Sequence, residues 1–380
     1  MQQTFRTPHS ALRTSYDVPA YSEMLPGPMR LRLDLLPAKD GSPLGWGVEV
    51  TSADVELGYN YVGLEEQAAS EGLAWGTAFG LIEKLCGCCT QANSLAFAQA
   101  VESLGSLTVP TRALYMRLVL VEAERIVSHL LNAACMMEAL GLPDREALLR
   151  DLRERVVVAV EEWAGEHSPS LIIYGGLARN IGEAPSKTLA AAAHNVERTL
   201  RDYVTDVINS KEIARRLVGL GRITAQEALL AGLRGPVARA SGITVDIRAN
   251  VPTGAYETEG VTIISQRGGD AFSRLVVRLL ECLESFRVIE QALDDLPLGP
   301  VKGRGDLDVR DGSALGRVEG PRGEIFCWVR GGADGLRGLH LSTGSFPSVG
   351  VIPGLLAGQR LEDVRLLLLS VDLCLSSIER

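Results

Sequence analysis

Glu83-Lys84-Leu85-Cys86-Gly87-Cys88-Cys89-Thr90 sets three thiols within four positions. The chain closes on a distant echo, Cys374-Leu375-Ser376-Ser377-Ile378-Glu379-Arg380, with serine where a second cysteine of the same spacing is expected. Cys86 and Cys89 form a Cys-x-x-Cys, a spacing that lets two thiolates reach one metal. Soft thiolates select nickel, iron, copper(I) or zinc over hard ions. Taken alone the pair reads equally as a redox dithiol or as a buried structural pair. Cys374 adds weight to the metal reading, because the far end of the chain then closes the site.

Outward from the cluster, helical patterns run over residues 74–85 and 91–104, so the cysteines sit where two helices meet. Gly87 permits close backbone approach there. Glu65 opens an earlier helix. Pro110 starts the longest helix, to about residue 140, with a narrow polar stripe of Arg117, Glu124, Arg125, Ser128, His129 and Asn132. His129 is expected to be a hydrogen-bonded structural group. Further helices are expected over residues 144–166, 186–218, 224–233, 270–293 and 360–373. Residues 29–35 alternate, with Leu31, Leu33 and Leu35 on one face, and 45–51 return after a turn at Lys39-Asp40-Gly41-Ser42. Strands follow Pro297-Leu298-Gly299-Pro300 at 314–319, 323–330 and 339–342. Residues 1–27 read as an irregular arm. The pattern predicts one domain over 1–380, α+β but mainly α: a long-helix bundle with small peripheral antiparallel sheets.

Of the 380 residues 46% are hydrophobic and 22% charged, a balance that fits a subunit with wide interfaces or a large helical core. The net charge of -9 gives no basic footprint, which argues against nucleic acid as a partner. No apolar run reaches the roughly 20 residues needed to span a bilayer, so membrane association is expected through partners. Seven cysteines without a secretory signal indicate reduced thiols and a cytoplasmic setting. Cys135, Cys282 and Cys327 fall within helix or strand patterns and read as small core residues.

Residues 83–89, followed by Asn93-Ser-Leu-Ala-Phe-Ala-Gln-Ala-Val-Glu102, resemble the first cysteine motif of nickel–iron hydrogenase large subunits, nearest the membrane-bound, energy-converting group. Asp372-Leu-Cys-Leu-Ser-Ser-Ile-Glu-Arg380 resembles the second motif. Val62-Gly-Leu-Glu65, Asp246-Ile-Arg248, Pro297-Leu-Gly-Pro300, Glu319-Gly-Pro-Arg-Gly-Glu324 and Phe346-Pro-Ser match in order, so the likeness covers residues 29–380. The same fold serves as the quinone-site (D) subunit of respiratory complex I. The resemblance implies a metal site at Cys86, Cys89, Cys374 and Ser377. It implies catalytic roles for Glu65, Lys84 and Arg322, with Glu65 carrying protons, and places Asn93 and Asp372 beside the cofactor. It also implies an iron–sulfur small subunit with a 4Fe-4S cluster, a 30-kDa-type (C) subunit and membrane ion-translocating subunits, on the cytoplasmic side of the inner membrane.

The departures shape the expected function. Active relatives hold a Ni–Fe centre with four thiolates, and Ser377 stands at a bridging one. A hydroxyl is a hard, poor bridge between soft metals. Adjacent side chains point apart, so Cys88 is not expected to substitute. Asn93 replaces a histidine, Lys84 an arginine, Val62 an arginine and Leu373 a proline. Together these indicate a degenerate site without a working Ni–Fe centre, in a subunit that transfers electrons to a quinone or other acceptor and couples this to ion translocation. Two alternatives stand beside it: an active hydrogenase with three cysteines and one serine, and a structural subunit whose pocket is empty or holds zinc. The complex I quinone site is itself unsupported, since residues 37–43 lack its histidine and Leu85 stands at its tyrosine position. The end at Arg380 is expected to be encoded rather than produced by a maturation protease.

Overall fold

The computed structural model describes residues 12–18, 21–22, 25–36, 47–70, 72–165, 170–303 and 308–379. The turn expected at 39–42, the loop 37–43 and Arg380 lie outside them. The alternating stretch forms strand Met29–Leu36, with Leu31, Leu33 and Leu35 fully buried. It is the central strand of an antiparallel sheet, between Leu12–Val18 and Glu49–Glu56. The stretch read as an irregular arm therefore contains a strand. Thr14, Tyr16 and Val18 supply β-formers at alternate positions, and the free edge of Met29–Leu36 supplies partners for the backbone.

The body is helical: α1 Leu64–Ser70, α2 Trp75–Lys84, α3 Thr90–Leu104, α4 Thr111–Leu140, α5 Pro143–Ala164 and α6 Glu183–Asn209. α4 is buried along most of its length and packs on α5 and on helix Ala271–Asp294. Gly141, in the left-handed conformation at φ 75°, ends it. The helix expected over 186–218 is two helices. Ser210 is extended, at ψ 109°, and its side chain accepts the N–H of Ile213 to cap a new helix, Lys211–Leu217. Strands Gly312–Gly320, Gly323–Gly332 and Gly335–Ser342 form a second antiparallel sheet, which lies on α3. Two apolar cores result. The larger lies among the long helices and this sheet. The smaller sets the N-terminal sheet against Leu355, Leu356, Leu367 and Leu368 near the C-terminus.

The polar stripe of α4 is buried rather than solvated. Glu122 accepts from Arg125, Arg248, Tyr256 and Ser285. Burial opposes its charge, but the Arg125 and Arg248 guanidinium groups hold its carboxyl down to about 2. Arg239 bonds Glu281 and Glu319, each at 2.7 Å. His129 contacts Glu281 at 3.1 Å, as expected of a structural group, and burial lowers it to about 4. The network ties α4, helix Ala271–Asp294 and the C-terminal sheet together at fixed depth.

The sheet comes near this network through a close backbone crossing. Gly323 has φ +115°, and a Cβ there would lie 2.6 Å from Gly235 N. A Cβ on Gly344 would lie 2.0 Å from the Arg322 carbonyl oxygen. Gly344→Ala is therefore expected to push Arg322 out of place and to lower stability by about 2 kcal/mol or more, measured by thermal unfolding.

The sign of the His129 effect is also fixed. Its folded pKa lies below the unfolded value of 6.5, so the unfolded chain takes up the proton first as pH falls. Stability is lost between pH 6.5 and about 4, by up to about 3 kcal/mol from this group. Burial raises Glu124 and Glu319 instead, so the difference between wild type and His129→Gln isolates the histidine. That stability gap should shrink as pH falls across this window; a constant gap would show an imidazole that titrates normally.

Candidate functional site

α2 ends at Lys84 and α3 begins at Thr90, so residues 86–89 form the turn between two helices, as the sequence predicts. The Thr90 hydroxyl donates to the Cys86 carbonyl at 2.9 Å and closes this turn. The first N–H groups of α3 lack helical partners. The Glu124 carboxylate on α4 accepts two of them, Gln91 N at 2.7 Å and Ala92 N at 3.0 Å. Burial still pushes Glu124 up to about 7.

The second motif arrives from the opposite end of the chain. Helix Val364–Val371 stops at Asp372, a non-glycine residue held left-handed at φ 62° and ψ 58°. Its last carbonyls are taken by buried side chains. Asn132 donates to Leu369 O at 2.8 Å, and Arg278 donates to Ser370 O at 2.8 Å and Val371 O at 3.1 Å. Cys374 N then donates to Ser345 Oγ at 3.0 Å.

These two placements bring the sulfurs together. Cys86 Sγ lies 2.9 Å from Cys374 Sγ. The Cys86 thiol is also in hydrogen-bonding contact with those of Cys88 and Cys89. Cys86, Cys89 and Cys374 are buried and Cys88 is half-buried. Adjacent side chains do diverge in regular secondary structure, but residues 86–89 form a turn, and there Cys88 folds back toward Cys86. Its own N–H donates to Cys86 Sγ at 3.3 Å.

Arg322 is the cation of the cluster. It donates to Asp372 O at 2.9 Å, Asp372 Oδ1 at 2.8 Å, Ser128 Oγ at 3.3 Å and Cys89 Sγ at 3.4 Å. Hydrogen bonds from Cys86 and Cys89, aided by Arg322, hold Cys374 well below the ordinary thiol range despite its burial. Sharing a hydrogen bond with Cys374 pushes Cys86 well up. The arrangement therefore favours one thiolate, at Cys374, solvated by neighbouring thiols and facing a guanidinium.

Ser377 is buried beside Cys374, where its hydroxyl donates to Cys374 O at 2.9 Å and lies 3.1 Å from Thr343 Oγ1. Asn93 is fully buried, and neither polar atom of its side chain has a hydrogen-bond partner among the described residues. Lys84 is exposed. With Leu85, Asn60, Val62, Ser376 and Glu379 it lines a cavity of about 290 Å³ that neighbours both cysteine motifs in the chain but has no thiol in its lining. Glu65 accepts the N–H of Leu341 at 3.0 Å and contacts His340 Nδ1 at 3.3 Å, so it binds the C-terminal sheet rather than only its own helix terminus. A larger cavity of about 330 Å³ is lined by Leu95, Glu102, Arg117, Tyr256 and Glu319 and by none of the four thiols. Its charged walls are already paired, Arg117 with Glu102 and Tyr256 with Glu122, so the reactive groups lie at the cysteines.

Sequence reasoning missed Glu124, Arg278 and Thr343 as neighbours of the site, and did not foresee that Cys88 turns toward Cys86. Glu124 carried a signal, because it lies in the polar stripe of an otherwise apolar helix. Arg278 and Thr343 carried none beyond their residue type.

Comparison with known proteins places this geometry in a family. Residues 147–309 match the family described as respiratory-chain NADH dehydrogenase, 49 Kd subunit. The D subunit of the F(420)H(2) dehydrogenase of Methanosarcina mazei is 29% identical over 367 residues, covering 94% of this chain and 95% of that protein. The alpha subunit of the membrane-bound hydrogenase of Pyrococcus furiosus is 30% identical over 352 residues, covering 88% of this chain and 82% of that one. Among solved structures, a chain of the membrane-bound sulfane sulfur reductase, an archaeal respiratory membrane complex, superposes with a TM-score of 0.88 at 24% identity. That match covers 99% of this chain and 100% of the other, and shows the shared fold. The protein belongs to the family that joins the large subunits of membrane-bound hydrogenases to the D subunits of NADH-quinone oxidoreductases.

Proposed function

We propose that this chain is the redox-site subunit of a membrane-associated respiratory complex, with a metal-free thiol pocket where hydrogenases carry their Ni–Fe centre. The complex passes electrons from an iron–sulfur partner to an acceptor and couples this to ion translocation. The observation that carries the reading is the state of Ser377. Its hydroxyl donates to Cys374 O at 2.9 Å and lies 3.1 Å from Thr343 Oγ1, so it is engaged by the turn and the sheet rather than held as a ligand. Cys88 adds a sulfur on the Cys86 loop, not at the Ser377 position. The donor set, with a hydroxyl in place of the fourth thiolate, does not fit a Ni–Fe centre.

In this pocket Arg322 does two things. It fixes the left-handed Asp372 turn that delivers Cys374, and it stabilises negative charge on the sulfurs. The iron–sulfur small subunit docks, in this reading, against the exposed side at Lys84, which with Leu85 and Ser376 lines a cavity. Attachment to the membrane is through partner subunits; no helix among the described residues is long and apolar enough to cross a bilayer. The setting is the cytoplasmic face.

Counting nickel and iron per chain in the purified native complex tests this directly. The expected result is no nickel, with all iron accounted for by partner clusters. Near-stoichiometric nickel would instead support the hydrogenase alternative, with Ser377 as an unusual ligand, and stoichiometric zinc would support the structural alternative.

Glu65 and His340 meet at 3.3 Å, a distance at which a carboxylate and an imidazole can pass a proton. Glu65→Gln is expected to lower ion translocation per electron transferred in reconstituted vesicles while electron transfer continues. Unchanged coupling would remove Glu65 from the proton route.

A further inference from the structure

Three thiols of the quartet are buried and one is not. Cys88 is half-buried, in contact with Cys86 through both its N–H and its thiol. Gly87, between them, is exposed, and a Cβ there would have no neighbour within 4 Å. Cys86 links the two sides: it meets Cys88 on the open side and Cys374 at 2.9 Å on the buried side, where Cys89 also hydrogen-bonds Cys374. Cys88 is the more exposed thiol, so a small molecule meets it before the buried Cys86 and Cys374. Such a row of sulfurs can move a disulfide bond inward by exchange.

We propose that Cys88 is the entry thiol of a disulfide relay that ends at the Cys86–Cys374 pair, and that its substrate is a small molecule with a sulfur–sulfur bond. This rests on the metal-free reading above. Cys88 as thiolate attacks one sulfur of R–S–S–R′. The S–S bond breaks, and R′–S⁻ leaves and takes up a proton. Cys86 attacks the Cys88 sulfur, forming a Cys86–Cys88 disulfide and releasing R–S⁻, which is protonated in turn. Cys374 attacks the Cys86 sulfur, forming Cys86–Cys374 and returning Cys88 as a thiol. In sum two protein thiols are oxidised to one disulfide, and the substrate is reduced to two thiols that carry the two protons. Two electrons from the one-electron iron–sulfur carrier of the partner subunit, with two protons, restore the dithiol. The substrate class covers organic disulfides and sulfane sulfur alike, because both present the same bond.

The test uses the assembled complex, reduced and freed of reductant without oxygen, with 4,4′-dithiodipyridine or sodium tetrasulfide as probe. Peptide mass mapping then follows the cysteines of this chain. Wild type should finish with a Cys86–Cys374 disulfide. Cys86→Ser should stall with the adduct on Cys88, a thiopyridyl group from the first probe or a persulfide from the second. Cys88→Ser, with its assembly and melting temperature checked, should form Cys86–Cys374 at least ten-fold more slowly. Cys88→Ala serves if the serine variant fails to assemble. An adduct on another cysteine, or wild-type rates without Cys88, would overturn the proposal. Reaction with tetrasulfide alone assigns sulfane sulfur as the substrate, and reaction with the pyridyl disulfide alone assigns organic disulfides. Nickel counted on the same sample judges the metal-free reading independently, whatever the cysteine map shows.

Discussion

The site depends on one guanidinium. Arg322 binds the carbonyl and the carboxylate of Asp372 with one edge and reaches Cys89 and Ser128 with the other. It thereby fastens the turn after α2 to the turn near residue 372, two segments with no local reason to meet. A charge buried to this degree is tolerated only when carboxylate and sulfur compensate it. The glycines around it are the steric counterpart: Gly235, Gly323 and Gly344 let backbones cross so closely that the side chain has one place to go. Charge and shape fix the same geometry, which is why the thiols are positioned by the scaffold rather than by one another.

The fold was largely legible in the sequence because its signals are periodic. The alternation of Leu31, Leu33 and Leu35 gave a strand and its buried face. The apolar run with a narrow polar stripe gave α4 and its burial. What was not legible depends on pairing or on single turns. Residues 12–18 become a strand because a neighbouring edge is free; the alternation of Thr14, Tyr16 and Val18 is too short to report this alone. The break at Ser210 is one side chain competing with the helix for a backbone N–H.

The site was legible as a set of residue types and less so as a geometry. Cys86, Cys89, Cys374, Ser377, Arg322 and Asp372 do meet, as their motifs imply. Lys84 and Glu65 lie at its margins: one faces solvent and the other holds the sheet. Cys88 turns toward Cys86 because the divergence of neighbours belongs to regular structure and fails in a turn, yet it does not stand in for Ser377. The role of Ser377 was hidden as well, since spacing shows where a hydroxyl stands but not which acceptor it chooses.

The contact between Cys86 and Cys374 spans 288 positions of chain. Closing so long a loop is entropically late work, and it waits on α4 and helix Ala271–Asp294, whose Asn132 and Arg278 receive the final helix. A nascent or half-folded chain thus holds Cys86, Cys88 and Cys89 but lacks the sulfur opposite. The pocket acquires its full thiol set only when the tertiary structure is complete, so chemical competence and folding are a single event in this subunit.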